Sequence, residues 1–115
     1  MQEFLSSGRE NLLKGDYSQA VSIYRRSLHN VEGKKYTIQL ELACENSTID
    51  TGLKEGNRSP QYFILEQRFR GRTCYCACWG LYSSPEEART ALESVPAFFK
   101  SQRYPPIIIP LRKYR

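Results

Sequence analysis

The sequence predicts an α+β domain: a four-stranded antiparallel sheet in the order β-α-β-β-α-β with two helices on one face, preceded by an N-terminal helical hairpin. Three observations predict it. Apolar residues recur at helical spacing over residues 2–30, then switch to alternation at "KYTIQLEL". Three further strand-like runs follow, "QYFILEQRF", "TCYCACWG" and "PPIIIPL". One helical segment lies between the first and second runs and another between the third and fourth, an order that folds most simply with both helices on one side.

Each element has its own signals. In the hairpin, Leu5, Leu12 and Leu13 share a helical face, "KGDY" interrupts it, and Ala20, Tyr24 and Leu28 follow at four-residue spacing. Gly15 is placed to end the first helix and Asp16 to cap the second. "VEGKK", residues 31–35, is a polar linker. In the first strand Tyr36, Ile38 and Leu40 share one face, and Thr37, Gln39 and Glu41 the other. "ENSTIDTGLKEG" carries polar caps, a short helix near 46–55 and a glycine stop. In the second strand either Phe63 and Leu65 or Tyr62 and Ile64 face inward, and "RGR" turns into the third. Ser84, Pro85 and Glu87 supply the N-cap, first-turn proline and capping-box glutamate of a helix over 85–100. Ala88, Ala91, Leu92 and Val95 form its apolar face, and Pro96 ends or kinks it. Prolines at both ends suit the last strand to an edge. The expected core is Tyr36, Ile38, Leu40, Tyr75, Ala77, Trp79, Ala88, Leu92 and Val95. The first and third strands are central, and the sheet face away from the helices is expected to be open.

A chain of 115 residues holds one domain with an appended element, and a 40% hydrophobic content excludes wholesale disorder. No apolar run approaches the roughly 20 residues of a membrane span. "MQEFLSSGRENLL" lacks a basic and then apolar leader, so no signal peptide is expected here and the chain reads as a fragment. The net charge of +5 favours acidic polymers, although the only dense basic run is "LRKYR".

Cys74, Cys76 and Cys78 alternate with Tyr75, Ala77 and Trp79, which turn toward the helix side. The cysteines therefore share the other face, about 7 Å apart in succession. That spacing disfavours a disulfide among them, and a straight strand fans their sulfurs away from a common zinc centre. The lone histidine, His29, lies in the hairpin. No metal, cofactor or catalytic thiol is expected. Glu41 and Glu66 form no glycosidase pair, and no triad or phosphate loop is present, so the chain reads as a non-enzyme. Burial of Cys76 beneath a helix would signal a register one residue off.

Gly8, Leu12, "GDY" at 15–17, Ala20 and Tyr24 stand at the signature spacing of the tetratricopeptide repeat, which residues 1–30 resemble. The resemblance implies a protein contact. One repeat cannot bury its own apolar face, so it packs on its own domain, on further repeats or on another chain; "VEGKK" is long enough to let it fold back. "YTIQLEL" and "CYCACWGLYSSPEEARTAL" are similar to the opening strand and the strand-to-helix passage of the SPOR (sporulation-related) domain, which residues 36–115 resemble. This resemblance implies binding to peptidoglycan glycan strands stripped of stem peptides, recruitment to division sites, and a periplasmic or cell-envelope location. It also implies glycan-binding roles for Gln39, which matches the family's strand-one glutamine, for Cys74 and Cys76 at third-strand contact positions, and for Tyr82 at the rim. Leu42, Cys74 and Cys76 make this platform less polar than the family pattern. Two alternatives stand beside it: a protein–protein scaffold with a degenerate SPOR fold, and single-stranded nucleic-acid binding. The second shares the strand order of RNA-recognition sheets but has thiols where stacking rings are needed.

Overall fold

The computed structural model describes residues 2–115, and its first turn forms where the sequence places it. Helix α1 (Gln2–Ser7) and helix α2 (Arg9–Lys14) meet at Gly8, and α2 stops at Gly15, whose φ of 86° is left-handed. The Asp16 side chain accepts from the Gln19 amide and opens α3 (Tyr17–Leu28). Gly8 allows the two arms to cross closely: a Cβ there would meet the Tyr24 ring at 2.8 Å.

Strand β1 (Tyr36–Ala43) leads into α4 (Asn46–Glu55), then β2 (Tyr62–Phe69) and β3 (Arg72–Tyr82). Helix α5 (Pro85–Ala91) is capped by Ser84, which accepts from the Glu87 amide. The segment expected as one helix over 85–100 is divided. A 3-10 turn covers Leu92–Ser94, Pro96 interrupts, and α6 (Ala97–Lys100) follows. Strand β4 (Ile107–Pro110) runs into a C-terminal 3-10 turn, Leu111–Tyr114. No helix is long and apolar enough to cross a membrane among the described residues.

The four strands form one antiparallel sheet in the order β2-β3-β1-β4, so the α+β class and the central β1/β3 pair are as expected. This is a ferredoxin-like arrangement. Tyr62 pairs with Trp79 and Ile64 with Ala77. That face looks at the helices: Cβ atoms added to Gly52 and Gly56 of the α4 region would touch Tyr62 and Trp79, and Tyr62 packs on Phe99 of α6. Register thus resolves the open choice in β2 in favour of Tyr62 and Ile64 on the helix side.

The opposite face is not open, which corrects the expectation. Phe63 pairs with Cys78 and Leu65 with Cys76, so these four share that face, and all are buried. The hairpin covers them. Phe4 meets Phe63 edge-on with ring centroids 5.0 Å apart, and Tyr24 tilts against it at 5.7 Å. Arg9 donates to the carbonyls of Arg58 and Ser59, and Tyr17 to the Asp50 carboxylate, tying the hairpin around the β2 edge. The C-terminal turn closes the remainder, with the Tyr114 hydroxyl donating to Gln67 at 2.9 Å.

Cys76 is therefore buried, at 1% exposure, although Ala77 and Trp79 keep the helix side as expected. A second layer, absent from the expectation, accounts for it. One apolar core runs from Phe4 and Tyr24 through the sheet to Trp79 and Phe99. The physical reason is that the apolar face formed by Phe4, Leu12, Ala20, Tyr24 and Leu28 of the hairpin needs a partner, and its own sheet supplies one. In β1 the pairing with β3 shifts between Gln39 and Glu41, so Glu41 comes opposite Ala77 and does not share the face of Gln39, contrary to the expectation.

Candidate functional site

Of the four residues expected to meet a glycan, Gln39 alone keeps partial access to solvent. It lies on the covered face opposite Cys78, and its Oε1 accepts from the Cys76 thiol at 3.5 Å. The other three are out of reach. Cys74 is buried and joined to Cys44 in a disulfide. Cys76 lies beneath the second layer with its sulfur 3.3 Å from that of Cys78. Side chains two apart on this strand lean together rather than fan out, which corrects the expected divergence. Burial pushes the Cys78 thiol well above its ordinary range, so it stays protonated and inert.

Tyr82 fails as a stacking rim for a different reason. Gly80, at φ 71°, sits in a register irregularity between β3 and β1, and the Tyr82 ring folds over it. Any side chain at position 80 would collide with the Tyr82 hydroxyl. Burial first, and then the Glu87 charge, push that phenol up to about 12. Thr37 locks the same bend by donating to the Gly80 carbonyl at 2.6 Å.

The accessible surface near Gln39 comes from the shortness of β4. That strand pairs with β1 only from Tyr36 to Gln39, and β1 runs on to Ala43 paired with β3 but with no strand on its other edge. A groove of about 610 Å³ occupies the vacated place, lined by residues 39–42, 102–105 and Ile107. Three apolar side chains face solvent around it, Leu42 at 38% exposure, Ile107 at 51% and Tyr104 at 75%. The Arg103 guanidinium lies over the Tyr104 ring, 5.5 Å from its centroid. Within the groove, burial raises the Glu41 carboxyl above the usual range, and its Oε2 has no hydrogen-bond partner.

This groove combines backbone groups of a strand edge with the Gln39 and Gln102 amides, the Glu41 carboxyl, the Arg103 guanidinium and the exposed Tyr104 ring. It presents donors and acceptors to a hydroxyl- and amide-rich ligand, and nothing in it activates a nucleophile. Periodicity did not single out Tyr104, because the segment between α6 and β4 has none. The Cys44–Cys74 bond follows from strand register. Ala43 pairs with Tyr75, so the next residues along, Cys44 and Cys74, come opposite each other once β1 and β3 are neighbours.

No protein-family model matches the chain. The chain is similar to a cell division protein, DamX, of Serratia marcescens, with 27% identity over 84 residues. The match covers 73% of this chain and 39% of that protein, so the chain spans well under half the length of the relative it matches.

Proposed function

We propose that this domain is a non-catalytic module of a cell-envelope division protein and binds peptidoglycan glycan strands that have lost their stem peptides. The likeness to a cell division protein supports the cellular context. The SPOR-like motifs at "YTIQLEL" and "CYCACWGLYSSPEEARTAL", with the ferredoxin-like strand order, support the ligand class. The Cys44–Cys74 disulfide fits an oxidising compartment such as the periplasm.

The observation that carries the reading is the groove beside Gln39. Sugar hydroxyl and acetamido groups bond to the Gln39 amide and to the free backbone edge of residues 40–43, while Tyr104 and Ile107 offer apolar surface to the sugar faces. Each such hydrogen bond replaces one to water and nets about 1 kcal/mol, so binding needs several sugars at once. The site differs from the expected platform: Gln39 stays, and Leu42, Tyr104 and Ile107 replace Cys74, Cys76 and Tyr82.

The alternatives fare less well. A scaffold working through the hairpin needs its apolar face free, but Phe4, Leu5, Leu12, Ala20, Tyr24 and Leu28 are buried within this chain. Base stacking needs the sheet face that the hairpin covers. The test is co-sedimentation with sacculi enriched in denuded strands. Wild type should be retained, and Gln39→Ala and Tyr104→Ala should each weaken retention with no change in melting temperature. Equal retention of all three, or none of any, rejects the reading.

A further inference from the structure

A second pocket, of about 190 Å³, lies across the sheet from the groove, between α3, β2 and the C-terminal turn. Arg25, Arg68, Lys113 and Arg115 line it together with Leu65, Glu66 and Tyr114. Four cations from three separate segments thus converge beside one carboxylate. None of the four cations, nor Glu66, is ion-paired among the described residues. Like charges repel, and the one carboxylate offsets only part of the four positive charges, so the site attracts an anion.

Two of the cations are held in place by neutral acceptors. Arg68 donates to Thr73 Oγ1 at 3.1 Å and to the Gly71 carbonyl at 3.0 Å. Arg115 donates to the carbonyls of Lys34 at 2.9 Å and Val31 at 3.2 Å. These bonds orient the guanidinium groups and leave their charge uncompensated, which suits recognition of an oxyanion. Tyr114 connects this pocket with the covered face: its hydroxyl bonds Gln67, while Gln39 on the same face holds the Cys76 thiol.

We infer that this pocket is a carboxylate subsite for the same ligand, reading the lactyl carboxylates that a glycan strand exposes when its stem peptides are removed. The inference rests on the glycan reading and deepens it. In a substituted strand each lactyl group is tied up as an amide and is neutral. Removal of the peptide frees a carboxylate directly on the lactyl group of every muramic acid residue, whereas the carboxylates of a stem peptide lie further from the sugar chain. A cationic pocket beside the strand therefore selects by the position of the charge. The hairpin contributes Arg25 and thereby takes part in binding as well as in covering the sheet.

The experiment compares wild type with an Arg25→Glu/Lys113→Glu double variant on denuded strands, native or with their carboxylates amidated by carbodiimide coupling. Melting temperature is recorded to show that the variant is folded. Wild type should hold native strands about tenfold more tightly than amidated ones at low salt, a gap that closes as salt is raised. The variant should hold both at the weaker level. Equal binding of wild type to native and amidated strands overturns the carboxylate subsite while leaving the glycan reading standing. Failure of wild type to bind either strand removes both. Stronger binding of wild type to a single-stranded oligonucleotide than to native glycan at matched charge reassigns the pocket to phosphates and also overturns the inference.

Discussion

Truncating Phe63 to alanine tests the covered face with a large signal. Its side chain is fully buried and lies against the rings of Phe4 and Tyr24, at 5.0 and 5.7 Å. Those rings come from a hairpin whose own contacts cannot sustain it, so the hole cannot be filled by local collapse. Phe→Ala in such a setting costs about 3–5 kcal/mol. For 115 residues, an unfolding entropy near 2.1 cal/mol/K per residue converts each kcal/mol into about 4 °C, so the melting temperature should fall by about 12–20 °C. Thermal circular dichroism gives the shift, and urea unfolding gives the free energy from the midpoint if the slope is unchanged. Leu42→Ala, at a solvent-facing position, serves as the control and should stay within about 0.5 kcal/mol. A loss below about 1 kcal/mol for Phe63→Ala would mean that the hairpin does not sit on this face, and the layered architecture would be refuted.

Other consequences follow from the cysteines and the buried ionisable groups. Breaking the Cys44–Cys74 bond, which spans 30 residues, should lower stability by about 3–4 kcal/mol, read as a lower melting temperature in reductant. Cys76 and Cys78 should resist a thiol reagent in the native chain and both react in denaturant. Burial pushes the Tyr82 phenol up to about 12 and raises Tyr17, Tyr24 and Tyr62 above their ordinary values. The folded chain therefore keeps protons that the unfolded chain loses near pH 10, and stability should fall as pH rises from about 10 toward 12, with absorbance at the tyrosinate band rising only on unfolding. Burial likewise raises the Glu41 carboxyl, so the folded state disfavours its charge. Glu41→Gln should raise the melting temperature at neutral pH, and the gain should vanish at acid pH where both states are protonated.

Local chemistry made most of the fold legible. Gly15 and Asp16 set the hairpin turn, Ser84 and Glu87 start α5, and alternation about Ile38 and Ala77 assigns the helix side of the sheet. Each of these is decided within a few residues. The cover was harder to see. The spacing of Leu12, Ala20, Tyr24 and Leu28 says that a face must be buried, but not against what, and "VEGKK" permits a return to the sheet without requiring it. The expected site depended on that missing layer. Cys76 and Tyr82 were placed in the right strand, and solvent access was lost to elements distant in sequence. The groove at Gln39–Leu42 is invisible in the sequence for a related reason: it exists because β4 is four residues long, and strand ends are set by pairing and by Pro105, Pro106 and Pro110 rather than by hydrophobic pattern.

The central claim is that a glycan is read at the free edge of β1 beside Gln39 while the thiol-lined face stays covered. Mapping backbone amide chemical shifts during titration with denuded glycan fragments tests it directly. The account predicts perturbations grouped at Gln39–Leu42, Tyr104 and Ile107, with Phe63, Cys76 and Cys78 unmoved. Perturbations centred on Phe63, Cys76 and Cys78, or a spectrum unchanged at saturating glycan, would contradict it.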